Sequence, residues 1–278
     1  MSTNPQLPSL SKPNSNFPLN HLIIVCCHAI YLGGPTKGIH ENEWLIEPFQ
    51  RGETPTFMEH VKTGLEVLAG DERALLVFSG GATKRPRTEL TEGESYLSLA
   101  EENNYFIESR ATVDKTRITA ETLATDSYQN ALFSILHFRK LAGLYPERVT
   151  VVTHEFKRER FLECHFPAVG FDDLSRVNLL GINPPEEVTP LFELAEGEKK
   201  RGIGLWREDR YGVGPELAGK RAKRGWVDGM QWRFSLGVGL EGVVEELTCW
   251  NGGSSGNDWF PRMDSLPWYK DVRECSRS

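Results

Sequence analysis

Arg148-Val-Thr-Val-Val-Thr-His154-Glu155-Phe-Lys-Arg158-Glu-Arg160-Phe161 is the stretch that decides how the chain folds. Val149 to Val152 is a short β-branched run free of charge, the pattern of a strand buried on both faces of a parallel sheet. The character turns polar at Thr153, His154 and Glu155. A charged segment carrying Phe156, Arg160 and Phe161 follows, and it predicts a helix ending before Pro167. Strand, polar corner and helix form half of a β-α-β unit. Ligands of open α/β sheets sit beyond the carboxyl ends of the strands. Thr153, His154 and Glu155 therefore fall where such a protein keeps its chemistry.

The flanking sequence repeats this pattern. Leu22 to Cys27 reads as a first buried strand running into His28, and Ala74 to Phe78 as a second, closed by Ser79-Gly80-Gly81. Two glycines at a strand end let backbone N–H groups approach a phosphate, although the same pair also makes an ordinary tight turn. His28 likewise reads two ways, as a proton carrier at a strand mouth or as a core histidine on a carbonyl. Thr56 to Leu68 has the apolar spacing of a helix, capped by Thr54 or Thr56. Thr91-Glu-Gly-Glu94 has the capping-box pattern, which gives Glu94 a structural task that competes with a role as a site carboxylate. Tyr105 to Ile107 reads as a short strand. Glu121, Thr125, Asp126, Ser127, Gln129 and Asn130 crowd the start of a helix that runs to about Leu141 and stops at Gly143. Asp126 with Gln129 makes a second possible capping box; a cap uses one or two of these groups, and the surplus hints at an anion held on the helix dipole. Arg176 to Leu180 is a last strand.

The alternation predicts an α/β protein, a Rossmann-like three-layer fold with a mostly parallel sheet. Three parts are expected: a disordered arm over 1–20, an α/β domain over 21–183, and an irregular, helical C-terminal extension over 184–278 that packs on the domain. In that tail, 202–211 reads as a lid or a wrap, and helices are expected over about 215–224 and 240–250.

Composition bounds the function classes. The chain has 278 residues, 39% hydrophobic and 26% charged, with a formal net charge of -7. That balance speaks against a duplex-binding protein. The one basic cluster, Lys220 to Arg224, reads as a solvated helix face or as an anion or partner contact. Five cysteines without a Cys-x-x-Cys pair argue against a disulfide framework or a thiolate zinc site. The Pro- and Ser-rich start has no signal-peptide pattern, and Leu22 to Leu32 is too short to span a bilayer. The expected setting is the cytoplasm, with a small-molecule ligand as partner and neither nucleic acid nor membrane.

The polar elements come in a recognisable order: Ser79-Gly80-Gly81, an acidic helix at Glu94, then Glu121, Thr125 and Asn130, then Val152-Thr153-x-x-Phe156-x-x-x-Arg160. Over about residues 21–183 this resembles the SanA/YdcF/ElyC-like domain family, whose pattern runs Ser-Gly-Gly, Glu, Glu…Thr…Asn, then Val-Thr-Ser-x-Tyr-His-x-x-Arg. This chain departs from it at three places. His154 stands at the family's serine, Lys157 at its histidine, and His28-Ala29-Ile30 at its glycine-rich loop. The tail lies outside the family domain and resembles a eukaryotic, fungal branch. The resemblance implies a Rossmann-like fold and an association with S-adenosylmethionine, without an agreed reaction.

Three functions are compatible with these residues. The first is an enzyme acting on an anionic, phosphorylated or nucleotide-like molecule. Gly80, Gly81 and Arg158 or Arg160 would hold the anion. His28 or His154 would move a proton, oriented by Glu94, Glu121 or Glu155. Ser79, Thr125, Asp126, Asn130, Thr153 and Lys157 complete the expected ligand contacts. Hydrolysis is the simplest chemistry, and no nucleophile or metal motif stands out. The second is a binding protein for S-adenosylmethionine or a nucleotide, with Glu121 or Asp126 on ribose hydroxyls. The third is an interaction protein whose tryptophan-rich tail docks a partner. The enzyme reading requires His28 and His154 to meet within roughly 5–10 Å, as adjacent strand ends do.

Overall fold

A computed structural model describes residues 18–106, 113–236 and 239–270. Most of the expected arm, together with Ile107 and Cys275, lies outside the described residues. Seven strands are present: β1 His21–Cys26, β2 Ile30–Tyr31, β3 Trp44–Leu45, β4 Ala74–Ser79, β5 Ile118–Glu121, β6 Arg148–Thr153 and β7 Val177–Gly181. The helices are α1 Thr54–Ala69, α2 Glu92–Glu102, α3 Ser127–Ala142, the short α4 Phe166–Ala168, α5 Leu191–Arg201, α6 Ile203–Glu208, α7 Pro215–Lys223 and α8 Gly242–Thr248.

Five strands form one parallel sheet in the order β5-β4-β1-β6-β7. The chain builds outward from β1 through β4 to β5, then returns to β1's other side for β6 and β7. That reversal makes the carboxyl ends of β1 and β6 the topological switch point, where such sheets open a crevice. β1 and β4 are buried at every position, as is β6 after Arg148, which explains their unbroken apolar runs. Right-handed crossovers place α1 and α2 on one face and α3 on the other. Each face holds its own apolar cluster. One is built from Ile23, Val25, Phe57, Leu65, Phe78 and Tyr96, the other from Leu22, Ile24, Leu132, Leu136, Phe161 and Phe166.

Four local expectations need correction. The third strand is not at Tyr105, which sits in a 3-10 turn with φ of 59°. It is Ile118–Glu121 at the sheet edge, where Glu121 pairs in register with Ser79. At α1 the N-cap is Glu53, and neither Thr54 nor Thr56 caps the helix. At α3 Asp126 accepts the Gln129 amide at 2.8 Å, but the Gln129 side chain turns to Thr125 instead of closing a capping box. After β6 the chain makes a 3-10 turn, Glu155–Lys157, and then a π-helical turn, Arg160–His165, that runs into α4 with Pro167 inside it. Pro167 sits in the last turn of this continuous helical segment, directly after the π-turn and just before the helix ends at Ala168.

The tail wraps the α3 face. Trp206 and Trp268 are buried, and Trp226 stacks on Phe133 with ring centroids 5.5 Å apart. Trp232 and Trp259 stay exposed, the latter under the Arg210 guanidinium at 3.8 Å.

Candidate functional site

Because β1 and β6 are parallel neighbours in register, Val25 against Val152, the residues just beyond them emerge side by side. His28 and His154 stack with ring centroids 4.4 Å apart and planes 27° from parallel. A third imidazole completes the group. His60, on the buried stripe of α1, lies edge-on to both, 5.5 Å from His28 and 5.0 Å from His154. Its Nε2–H donates to the Ile182 carbonyl at 3.0 Å. Burial, followed by the nearby positive charge of Lys157, holds His28 and His154 well below the ordinary imidazole range. Burial likewise drives His60 down to about 4. All three are neutral at physiological pH. The rings meet through their faces and edges, so they do not form a proton relay. Both nitrogens of His154 and Nε2 of His28 are buried and without a hydrogen-bond partner.

Lys157 reaches into this group from the turn after β6. Its Nζ lies 3.3 Å from Nδ1 of His28. An ammonium has donors alone, so it donates and the neutral imidazole accepts, which places the His28 proton on Nε2. No ion pair with a carboxylate is formed by Lys157 among the described residues. Burial and then the Arg160 charge lower its pKa to about 8.

His28, His154 and Lys157 form the floor of a cavity of about 660 Å³, with His60 packed against both imidazoles. Arg160 lines its side, gripping the buried Glu198 carboxylate through Nε, at 2.7 Å, and through the second amine, while NH1 donates to Ser127 Oγ at 3.2 Å. Thr125, Asp126, Ser127 and Asn130 line it from the α3 N-terminus, with Thr153 at the end of β6. Lys84 enters from the β4–α2 loop, paired with Glu47 at 3.1 Å. Glu47, Phe49, Gln50 and Glu53 of the segment before α1 line another side, and the tail adds Glu193, Glu198 and Arg201 of α5, Trp206 of α6, Lys220 of α7, and Arg224 just after it. Two contacts tie α7 and Arg224 to the α3 start. Arg221 Nε binds Asp126 at 2.5 Å, and Arg224 NH1 donates to the Thr125 carbonyl at 2.8 Å. The basic cluster is thus a cavity wall and a clamp on Asp126.

The structure brings together His28, Thr125, Asp126, Asn130, Thr153, His154, Lys157 and Arg160 around one cavity. Seven other expected residues fall elsewhere. Gly80 and Gly81 do not cradle an anion, because their N–H groups donate to the carbonyls of Glu121 at 3.0 Å and Ala124 at 2.6 Å. The turn also accepts the first amides of α2, Glu92 to Gly81 and Gly93 to Gly80, so it is a docking surface for that helix. Ser79 and Glu121 lie buried beneath it. The Ser79 hydroxyl donates to Glu121 at 2.7 Å and accepts from Asn130 at 2.9 Å, and Glu121 also takes the Leu123 and Ala124 amides. Burial raises Glu121 to about 7, but its bonds hold a loop and do not orient a histidine. Glu94 is exposed and closed in the Thr91 cap at 2.7 Å. Glu155 and Arg158 pair with each other at 2.5 and 2.7 Å, away from the floor.

His60, behind the floor, and Lys84, Glu92 and Glu198 of the lining were not expected from the sequence, whereas Ser127 and Arg224 belong to the helix start and the basic cluster already read as possible anion contacts. His60 was visible in principle, since it falls between Phe57 and Val61 on the inward stripe of α1. Glu92 carries the carboxylate that faces the cavity, two residues before Glu94. It is raised by burial and bonded to the Thr83 hydroxyl. The α5 contribution had no local signal and the α7 cluster no signal of its place, because only tertiary packing brings them over the sheet. Among the described residues no group of three His, Cys, Asp or Glu is placed to hold a metal ion.

The chain is similar to the Saccharomyces cerevisiae protein YOR238W, an uncharacterised protein, at 24% identity over 251 residues. The match covers 73% of this chain and 82% of the yeast one. No family model matches the chain, and no solved structure matches it significantly. No helix among the described residues is long and apolar enough to cross a membrane.

Proposed function

We propose that this protein is a small-molecule enzyme, a hydrolase or transferase, acting on an anionic, phosphorylated or nucleotide-like substrate in the cavity at the carboxyl edge of the sheet. The observation that carries this reading is Lys157: a half-buried ammonium on the cavity floor, bonded to a neutral imidazole and not to a carboxylate. Desolvating a cation without an anion is costly. A ligand phosphate beside Lys157 and Arg160 would remove that cost. The cavity, about 660 Å³, suits a small molecule, for which sites run to roughly 300–1,000 Å³. A pKa of about 8 keeps Lys157 protonated at neutral pH and close enough to release its proton in the reaction. His28 would orient that ammonium.

S-adenosylmethionine fits the lining less well. Its sulfonium would sit among Lys157 and Arg160. Of the carboxylates expected on its ribose, Asp126 is engaged by Arg221 and Gln129, and Glu121 is enclosed under the turn. The test is a thermal-shift and turnover screen of phosphorylated metabolites, nucleotides and S-adenosylmethionine on the wild type and Lys157→Met. A ligand at one hundred times its Kd adds about 2.7 kcal/mol of stability. Stabilisation of the wild type by phosphorylated compounds, with chemical change on incubation, supports the reading. Stabilisation by S-adenosylmethionine alone overturns it.

A further inference from the structure

Beside the histidine floor, the same cavity holds a second and chemically different pair. Ser127 is the first residue of α3, and its Oγ lies 2.7 Å from Nε2 of His165. It lines the cavity, whereas His165 is completely buried behind it. Arg160 donates to the same oxygen at 3.2 Å. Arg160 can only donate, and in the tautomer that carries the His165 proton on the unpartnered Nδ1, Nε2 accepts and the hydroxyl proton is directed at it.

The convergence of Arg160 and His165 has a backbone cause. In an α-helix, residues five apart point about 140° away from each other. Here Arg160–His165 is a π-helical turn, whose wider i→i+5 loop swings the two onto nearly one side. Such turns are rare, and this one brings a cation and an imidazole to one hydroxyl. A serine that only capped α3 would need neither, and that duty already belongs to Asp126, which accepts from Gln129 N. His165 is held in place by the edge of Trp206, 4.6 Å away, and by Phe161, 5.2 Å away. Burial, then the charges of Arg160, Arg221 and Lys157, hold it well below the ordinary imidazole range, so it is neutral at rest and holds a proton only transiently during a reaction.

We propose that Ser127 is the nucleophile of a phosphoryl-transfer reaction in this cavity, with His165 as its base and Arg160 bound to the attacking oxygen. The proposal rests on the anionic-substrate reading above and narrows it to phosphomonoesters. In the first step Ser127 Oγ forms a bond to phosphorus and passes its proton to His165 Nε2. The bond from phosphorus to the alcohol oxygen breaks, and that oxygen takes a proton from the Lys157 ammonium. In the second step water attacks the phosphoserine and gives a proton to neutral Lys157. The bond from phosphorus to Oγ breaks, and Ser127 recovers its proton from His165. The products are the free alcohol and inorganic phosphate, with both bases reset. The α3 N-terminus and Arg160 oppose the charge that builds on the transferring group.

The test compares wild type, Ser127→Ala and Ser127→Thr on p-nitrophenyl phosphate, glycerol phosphate and phosphoserine. It reads phosphate release, the mass of acid-quenched protein, and the thermal shift given by inorganic phosphate. The expected result is a phosphoryl adduct on Ser127 in the wild type. In Ser127→Ala, turnover falls on the order of a thousandfold or more, the scale of a lost nucleophile. The phosphate-induced thermal shift persists in that variant, which shows that it is folded and still binds, and Ser127→Thr keeps part of the activity. Turnover by Ser127→Ala within a few fold of wild type, or turnover without an adduct, overturns the nucleophile while leaving the anion-enzyme reading intact. Binding without turnover of any ester also overturns it. Absence of both the shift and turnover in the wild type overturns the proposed function itself.

Discussion

Lys157 and His28 meet at 3.3 Å, Nζ to Nδ1, at the point where the sheet's two directions of winding diverge. One is a half-buried cation, the other a neutral imidazole, and both are held away from their ordinary titration ranges by the same desolvation. A fold that only needed stability would place an apolar side chain at 157.

Replacement of Lys157 by methionine should stabilise the protein while weakening ligand binding. The folded-state pKa of about 8 lies below the ordinary lysine value of 10.5, so the unfolded chain binds more protons between those values and stability rises with pH across them. At pH 7 the charge costs up to about 3 kcal/mol by that shift, and partial exposure brings the expected gain for Lys157→Met to roughly 1–3 kcal/mol. Urea melts at pH 7 and pH 10 check it: the difference between the two proteins should shrink at the higher pH.

Anion binding should pull protons from solution. A phosphate beside Lys157 raises its pKa, so at pH 8, where the free group is partly neutral, binding takes up a fraction of a proton. Calorimetry of inorganic phosphate in two buffers of different ionisation enthalpy measures that uptake. It should fade at pH 6.5, where the lysine is already charged.

Acid should destabilise the protein through its neutral histidines. His60 is lowered from 6.5 to about 4 by burial, so its contribution is complete above pH 6.5 and is lost as pH falls toward 4. The full shift corresponds to about 3 kcal/mol. His60→Gln keeps a side-chain donor for the Ile182 carbonyl and removes the titration. Its unfolding free energy should fall less steeply than that of wild type between pH 6.5 and 4.

The glycine turn should prove structural. A Cβ on Gly93 would come within 2.6 Å of the Phe78 and Glu121 carbonyls, which cannot move without opening the sheet edge. Gly93→Ala should cost about 1–3 kcal/mol, the usual scale of an overpacked contact. Thermal unfolding measures it.

The fold was legible because β1, β4 and, after Arg148, β6 are buried along their length and hold uncharged runs rich in Val, Leu and Ile. β5 was not, since Ile118-Thr-Ala-Glu is a four-residue edge strand whose last residue also reads as a helix flank. At the site, His28 and His154 were readable from strand-end position, and Lys157 only from the family pattern the sequence resembles. The reading of Gly80 and Gly81 failed for a physical reason: a strand-end glycine pair serves a phosphate and a docking helix equally well in sequence, and only the hydrogen bonds decide. Glu121 and Glu94 misled in the same way, each being a carboxylate with a complete local task. Ser127 with His165 and Arg160 with Glu198 stayed hidden, because the first depends on a π-turn and the second on a tail that crosses back over the sheet.

The most direct test of the account is a calorimetric titration of inorganic phosphate into wild type and Lys157→Met at pH 7. Saturable binding to wild type is expected, with at least about tenfold weaker binding to the variant, a difference of about 1.4 kcal/mol. Equal binding to both proteins would contradict it and would move the anion site away from the junction of β1 and β6.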